Sequence, residues 1–584
     1  MAMDNQKQFE TSAKNLRSHK LFAQTNIFVA ILKVALTGLL ISLMSGIYIF
    51  VDQLLMAKLV PTDGVHDFYT LFGYTPEYIK SLVEDFNINH PENSFDFLSV
   101  SEIIKSSISI SAPLTMVLNA IPLLAGIGAG ILFTQAIAKN DLFKGKQIYK
   151  TSFYSAVVIG VFSLVLFSTC NEYILQITSG KNMSFDNIIT PSSEEQIVIQ
   201  YYYDCREYQL LWASRYTLML AIGSIFNVFV VYYSFMIRAE GRNIVVVLAA
   251  IACNLVNIGL DILMISVFKM GMVGGGIATI IGWALNAGIC LMYVWYLSKR
   301  ELTWMKFRFL KFDKEFKFSW SMFLPIIILG LSVFLRNMSN AIANSLFSMS
   351  LNNVINQIEG YSGQTFQMLS GAVFPINNLF FYAIFGVIDG IRPLCTYCYS
   401  RSLHKRTKQA YYAIIIIGLV YGLIVFGLMS SPVGQYMLSW FDIEADLLPM
   451  AANYLNIQCL VIMFTSFSLG GLTIFQSTNR LTSAIIASMF QGLVTFPLVL
   501  LTTSSLALQF ANPWILVSTN AINAAIASLI IFIWANIFIH TFMTKRLIKI
   551  NIFDIALNKF KTVRYFVPLN SPKESYAQRQ LEKH

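Results

Sequence analysis

The sequence predicts an all-α polytopic membrane protein, with twelve transmembrane helices in two six-helix lobes related by a parallel repeat. Three observations predict it. Of 584 residues, 56% are hydrophobic and only 12% charged, whereas a soluble protein carries about a quarter charged residues. The apolar residues fall in blocks of roughly 20 to 25, the length that crosses a bilayer as a helix. The connections between blocks alternate between rich and poor in Lys and Arg, the pattern that orients membrane proteins.

In chain order, the spans lie near 33–57, 108–136, 148–170, 208–236, 244–267, 273–297, 320–345, 371–395, 411–430, 450–475, 483–503 and 514–540. A cytoplasmic segment, 1–32, leads without a small-residue cleavage site into the first span, so it does not read as a secretory signal. Residues 33–298 make an N-lobe, 299–319 a basic linker and 320–540 a C-lobe. Basic connections such as "KNDLFKGKQIYK", "RAEGR", "SKRELTWMKFRFLKFDKEFK" and "SRSLHKRTK" all fall on one side. Both termini are therefore predicted cytoplasmic, in a multi-pass plasma-membrane protein. The tail 541–584, with "TKRLIKINIFDIALNKFKTVRYF", mixes basic and apolar residues and reads as an interfacial segment. The net charge of +10 is thus a topology signal, and no nucleic-acid partner is expected.

Much chemistry is absent. The six histidines lie in loops, termini or a helix end, without H-E-x-x-H, and no phosphate loop G-x-x-x-x-G-K-[ST] occurs. Cys395 and Cys398 form C-x-x-C without two further ligands nearby. Cys170 and Cys205 bracket an outer connection where a disulfide would persist, but free thiols are the reading preferred. The protein is not expected to be an enzyme or to carry a cofactor. A transporter, flippase, channel or sensor remains.

The halves resemble each other. "AGILFTQAIAKNDLFKGKQIYK" parallels "DGIRPLCTYCYSRSLHKRTKQA", with Gly130 and Lys146 at the same offset from Gly390 and Arg406. "EGRNIVVVLAAIACN" parallels "STNRLTSAIIASMFQ". Internal repeats of this kind point to a transporter. The run "RAEGRNIVVVLAAIACNLVNIGLDILMI", followed by "GMVGGGIATIIGWALNAG", resembles the multidrug and toxic compound extrusion (MATE) family, part of a wider flippase superfamily. "FVDQLLMAKL" and "GVIDGIRPLCTYCYSRSLHKRTKQA" resemble the end of its first helix and its eighth helix with the following loop. The resemblance implies cation-coupled export of amphipathic, often cationic small molecules through alternating access.

Polar residues inside apolar spans are costly and mark function. Asn257 and Asp261 are four apart, on one helical face. Asp261 lies eight residues before Lys269, Asp52 six before Lys58, and Thr279 ten after Lys269. At about 1.5 Å per residue these are depths of roughly 9 to 15 Å. Asp52, Asn257, Asp261 and Thr279 thus form a candidate oxygen-rich cluster for Na+ or H+. The matched family positions imply the same four residues. The seventh and tenth spans, where some relatives place acids, carry none.

Arg336 lies nineteen residues after Lys317, as Asp52 lies nineteen after Lys33, and an arginine suits an anionic group. The bland alternative is that Arg336 snorkels outward or pairs with Glu359. With Asn337, Asn340, Asn377 and Asn378 it makes a candidate substrate cavity. The outer connections 59–101, 171–206 and 346–370 are long enough to form a cap or to take a partner. A monomer is expected. The functional reading is an antiporter exporting amphipathic molecules against Na+ or H+. A flippase for a lipid or lipid-linked glycan, and a sensor or channel, are the alternatives.

Overall fold

The computed structural model describes residues 19–543 apart from 61–66, 91–94, 96, 179–184, 186–187, 189–190, 311–319, 360, 362, 442 and 444–445. Among the described residues, 19–537 form one compact unit and 538–543 fall in a second. The described residues are helices joined by turns, and twelve helical segments are long and apolar enough to cross a membrane.

Six spans make the first half. Helix α1 is Ile27–Leu59, capped by Asn26, whose side chain accepts from the Phe28 amide. Two short helices follow, α2 (Phe68–Phe72) and α3 (Pro76–Asn89). The second span is divided into α4 (Val100–Ala120) and α5 (Pro122–Lys139). The sequence reads as one span near 108–136, but Pro122 offers no N–H and its ring collides with the carbonyl four residues earlier. Next come α6 (Leu142–Thr178), α7 (Ser193–Ala239), α8 (Asn243–Ile262) and α9 (Gly271–Lys299). Between α7 and α8 the chain turns at Gly241, whose φ of 76° suits a residue without Cβ.

The other six spans make the second half. It contains α10 (Trp320–Ile355), α11 (Gly363–Ser400), α12 (His404–Met429) and the short α13 (Pro432–Ser439). Then follow α14 (Leu448–Ser477), α15 (Leu481–Met489), a π-helical turn at Phe490–Thr495 and α16 (Phe496–Gln509). The short α17 (Pro513–Val517) leads to α18 (Thr519–Met543). The interfacial reading of the tail falls, past Met543, outside the described residues.

The segments that read as long outer loops are largely helix ends. The 47 residues of α7 span about 70 Å at 1.5 Å per residue, against a hydrocarbon core of about 30 Å. Its start is a capping box: the Ser192 side chain accepts from the Glu195 amide, and Glu195 returns to the Ser192 amide. Ser99 and Glu102 do the same for α4. The projecting ends pack with α2 and α3 into an aromatic cluster. There Phe68 meets Tyr69, Tyr74, Tyr201 and Tyr208 edge-on or stacked. Tyr74 donates to Asp204 Oδ2 at 2.6 Å, and Tyr69 donates to the Leu98 carbonyl. Residues of 59–101 and 171–206 share one buried cluster.

The halves meet along two glycine-lined seams. Between α1 and α11, a Cβ on Gly38, Gly386 or Gly390 would collide with backbone of the facing helix. Between α5 and α10, Gly128 faces the Ile326 carbonyl and Gly330 the Leu124 carbonyl with equally little room. Small residues let backbones approach where apolar side chains alone give no preference between protein and lipid. A reciprocal amide pair, Gln135 with Asn479, closes the same end at 2.9 and 3.1 Å.

All seven cysteines are free, Cys170 and Cys205 included. Cys395 and Cys398 are fully buried. Cys398 Sγ donates to the Phe22 carbonyl at 3.7 Å, so the C-x-x-C spacing serves packing.

Candidate functional site

Two hydrogen bonds set the register between α1 and α8. Asn243 Nδ2 donates to Thr37 Oγ1 at 3.3 Å, and Asn254 Nδ2 to the Met44 carbonyl at 3.1 Å. Both partners advance together, so the helices run parallel. Asp52 lies eight residues beyond Met44 and Asp261 seven beyond Asn254. At 1.5 Å per residue the two carboxylates differ in depth by about 1.5 Å counted from Met44 and Asn254, and by about 5 Å counted from Thr37 and Asn243.

Helix α9 closes the third side. Thr279 accepts or donates a 3.0 Å hydrogen bond with the Tyr48 hydroxyl of α1. The glycines at the start of α9 permit this approach. A Cβ on Gly275 would lie 3.1 Å from Met56 Sδ and 3.5 Å from Asp52 Oδ1. One on Gly282 would lie 3.3 Å from Asn257 Cβ. A π-helical turn, Leu263–Val267, follows Asp261 almost at once; such bulges concentrate at functional sites.

The four predicted residues are all buried: Asp52 is 3% exposed, Asn257 2%, Asp261 0% and Thr279 2%. Asp52 and Asp261 act on each other electrostatically, and both act on Tyr48 and Tyr216. Tyr216 donates to Asp52 Oδ2 at 3.4 Å. By contrast, Asp52 Oδ1, both Asp261 oxygens and both Asn257 amide atoms lack a hydrogen-bond partner. Among the described residues no lysine or arginine ion-pairs with either carboxylate. Arg215 of α7 lies over the Trp212 ring at 5.5 Å. Two carboxylates, an amide and a hydroxyl, all buried, are a donor set for a small hard cation or a shared proton.

Sequence reasoning missed two members, Tyr48 and Tyr216. Tyr48 had a signal, since it precedes Asp52 by four residues on the same face. Tyr216 had none; only the packing of α7 brings it near.

The second predicted set does not converge in the same way. Arg336 is buried, but its guanidinium lies 4.4 Å from the centre of the Phe385 ring. It acts on Asp389 and Arg392, not on Glu359. Asn377 is buried with its Oδ1 unpartnered, while Asn337, Asn340 and Asn378 are half-buried. Asn377 and Asn378 lie seven or eight residues before Phe385, about 11 Å along α11. They therefore stand away from the Arg336 head.

Comparison with known proteins agrees with this architecture. The MatE family model matches residues 341–501. An uncharacterized homolog of MG447 from Mycoplasmoides gallisepticum is 29% identical over 579 residues, covering 96% of this chain and 98% of its own. The multidrug export protein MepA of Staphylococcus aureus is 21% identical over 439 residues, covering 75% of this chain and 87% of MepA. Among solved structures, an outward-facing multidrug resistance MATE transporter of the MOP superfamily superposes with TM-score 0.69 at 16% identity, over 91% of this chain and 99% of that one. A MOP superfamily transporter from Pyrococcus furiosus, described as having a binding pocket of reverse polarity, gives 0.66 at 16%, over 90% and 98%. Part of the second half thus matches the MatE family model, and the chain shares its fold nearly end to end with MATE transporters.

Proposed function

We propose that this transporter is a secondary-active exporter of small amphipathic molecules, coupled to Na+ or H+ held by Asp52, Asn257, Asp261 and Thr279. The observation that carries the reading is the pair of buried carboxylates with three unpartnered oxygens and no basic partner among the described residues. A carboxylate at the centre of a membrane helix costs about 3 kcal/mol on insertion scales. An arriving cation or proton offsets that cost. Such a site gives the driving ion a differential affinity for one conformer, which is what coupling requires. The MepA likeness supports multidrug export as the broad activity.

The glycine seams support alternating access. They join the halves along one end, where backbones touch without interlocking side chains. Arg238 of α7 reaches Asp389 of α11 at 3.9 Å on that same end. Rocking of one half against the other would open these contacts and close others, in the manner of repeat-built transporters. A cationic cargo, which the family resemblance implies, would meet uncompensated guanidinium charge between the halves. The amphipathic character is therefore retained in this reading and the positive charge is not.

Uptake into proteoliposomes, with a Na+ gradient or a pH gradient imposed separately, tests the coupling. Asp261→Asn should reduce gradient-driven transport to background in a protein that still folds. Unchanged coupling in that variant would remove the site. A second reading, a flippase for a lipid or lipid-linked glycan, is favoured by buried Arg336. Flipping of labelled lipid, measured beside uptake of a fluorescent solute, separates the two.

A further inference from the structure

Away from the carboxylates, three arginines from both halves gather around one acid. Arg392 Nη1 donates to Asp389 Oδ1 at 2.7 Å, and Asp389 Oδ2 lies 3.9 Å from Arg238 Nη1. Arg336 has no carboxylate among the described residues and rests on the Phe385 ring. Phe235 presents its face to Arg238 at 5.5 Å and to Arg392 at 5.9 Å. None of the three arginines is more than 8% exposed. The Nε of each lacks a hydrogen-bond partner.

Asp389 cancels one of the three charges. Asp389 meets Arg392 at 2.7 Å and Arg238 at 3.9 Å, so one acid faces two guanidinium groups and Arg336 is left without a carboxylate among the described residues. Guanidinium groups inside a membrane persist when paired, or when they line the path of a substrate. Their planar fork matches phosphate and carboxylate oxygens two at a time. Beside Arg392 lies a pocket lined by Ile127, Gly130, Thr134, Phe235 and Thr396. It supplies apolar wall next to the positive charge.

We propose that Arg336 and Arg392, the latter held in place by Asp389, form an oxyanion-binding subsite for the charged head of an amphipathic ligand, while the Phe235 and Phe385 rings take the apolar part. The proposal rests on the transporter reading only in treating that ligand as cargo. Binding is measured without any gradient, so its failure and a failure of ion coupling are separate results.

The test uses the full chain in neutral detergent and isothermal titration calorimetry. The probes are dodecyl phosphate, dihexanoyl phosphatidic acid and dodecyltrimethylammonium. An anionic probe should bind saturably and the trimethylammonium should not. Arg336→Gln should weaken anion binding by about tenfold or more, the scale for losing a charge-assisted hydrogen bond. Arg336→Lys keeps the charge but loses the fork and should fall between; it carries the comparison if the glutamine variant does not elute as the parent does. Phosphatidic acid binding with this arginine dependence identifies a lipid source, and dodecyl phosphate alone a soluble amphiphile. Equal binding of the trimethylammonium, or anion binding indifferent to both Arg336→Lys and Arg392→Gln, overturns the proposal.

Discussion

The fifth and eleventh spans are built alike and furnished differently. Each contains a π-helical turn, at Leu263–Val267 and at Phe490–Thr495. In the fifth, Asn257 and Asp261 are buried with no partner for their side-chain oxygens. Polar groups of the eleventh are neutral and engaged. Thr495 donates to Asn523 at 2.6 Å, Asn523 donates to the Gln491 carbonyl at 3.2 Å, and Thr503 meets Thr519 at 2.7 Å. Both regions hide polarity from lipid. Only one leaves it unsatisfied. A satisfied network stabilises and fixes a packing arrangement; an unsatisfied carboxylate pair is what the proposed ion coupling requires.

The strongest way to break this comparison is to neutralise one acid. Asp52→Asn should abolish ion-driven transport as completely as Asp261→Asn, read as solute uptake in proteoliposomes. If either variant kept parental coupling, the two regions would not differ in kind. The reciprocal change, Thr495→Val, should cost about 1–2 kcal/mol of stability, because Asn523 loses a buried donor. It should leave the ion dependence of uptake within about twofold, a factor worth well under 1 kcal/mol. Thermal melting and uptake on the same preparation check both statements.

A smaller effect should follow from Gly282→Ala. The added methyl would press on Asn257 at 3.3 Å, so the side chain must shift by a few tenths of an ångström. Apparent cation affinity, read from Na+ or pH titration of uptake, should fall several-fold while folding survives. The smallest effect belongs to Tyr48→Phe. It removes the 3.0 Å bond to Thr279, worth about 0.5–1.5 kcal/mol net. A modest loss of ion affinity without loss of maximal rate is the expected result. An effect as large as that of Asp52→Asn would make Tyr48 a primary ligand.

Much of the fold was legible because burial in lipid is written residue by residue. The twelve apolar runs became twelve helices, and errors fell where another cue competed. Pro122 divided a span that hydropathy joined. The S-x-x-E signals at 99–102 and 192–195 announced helix starts inside segments that read as loops. The site was legible in part. Asn257 and Asp261 share a face by spacing alone, and Asp52 stood out as a lone acid in an apolar run. Arg238 and Arg392 were on view in "RAEGR" and "DGIR" but read as loop charge and as resemblance. Their sequence positions near helix ends gave no hint that they are 5% and 6% exposed.

By itself the sequence determined which segments enter the membrane and which polar residues share a helical face. Transfer from water to lipid adds up along the chain, and helical periodicity is local, so both can be read without neighbours. Tertiary structure decided which helices touch, at what register, and whether a buried charge finds a partner. Between helices that lipid solvates equally well, that choice depends on glycine clearances and a few hydrogen bonds between residues far apart in the chain. Asp52 and Asp261 come within electrostatic reach of each other for this reason, and Arg336 faces Phe385 in place of a carboxylate.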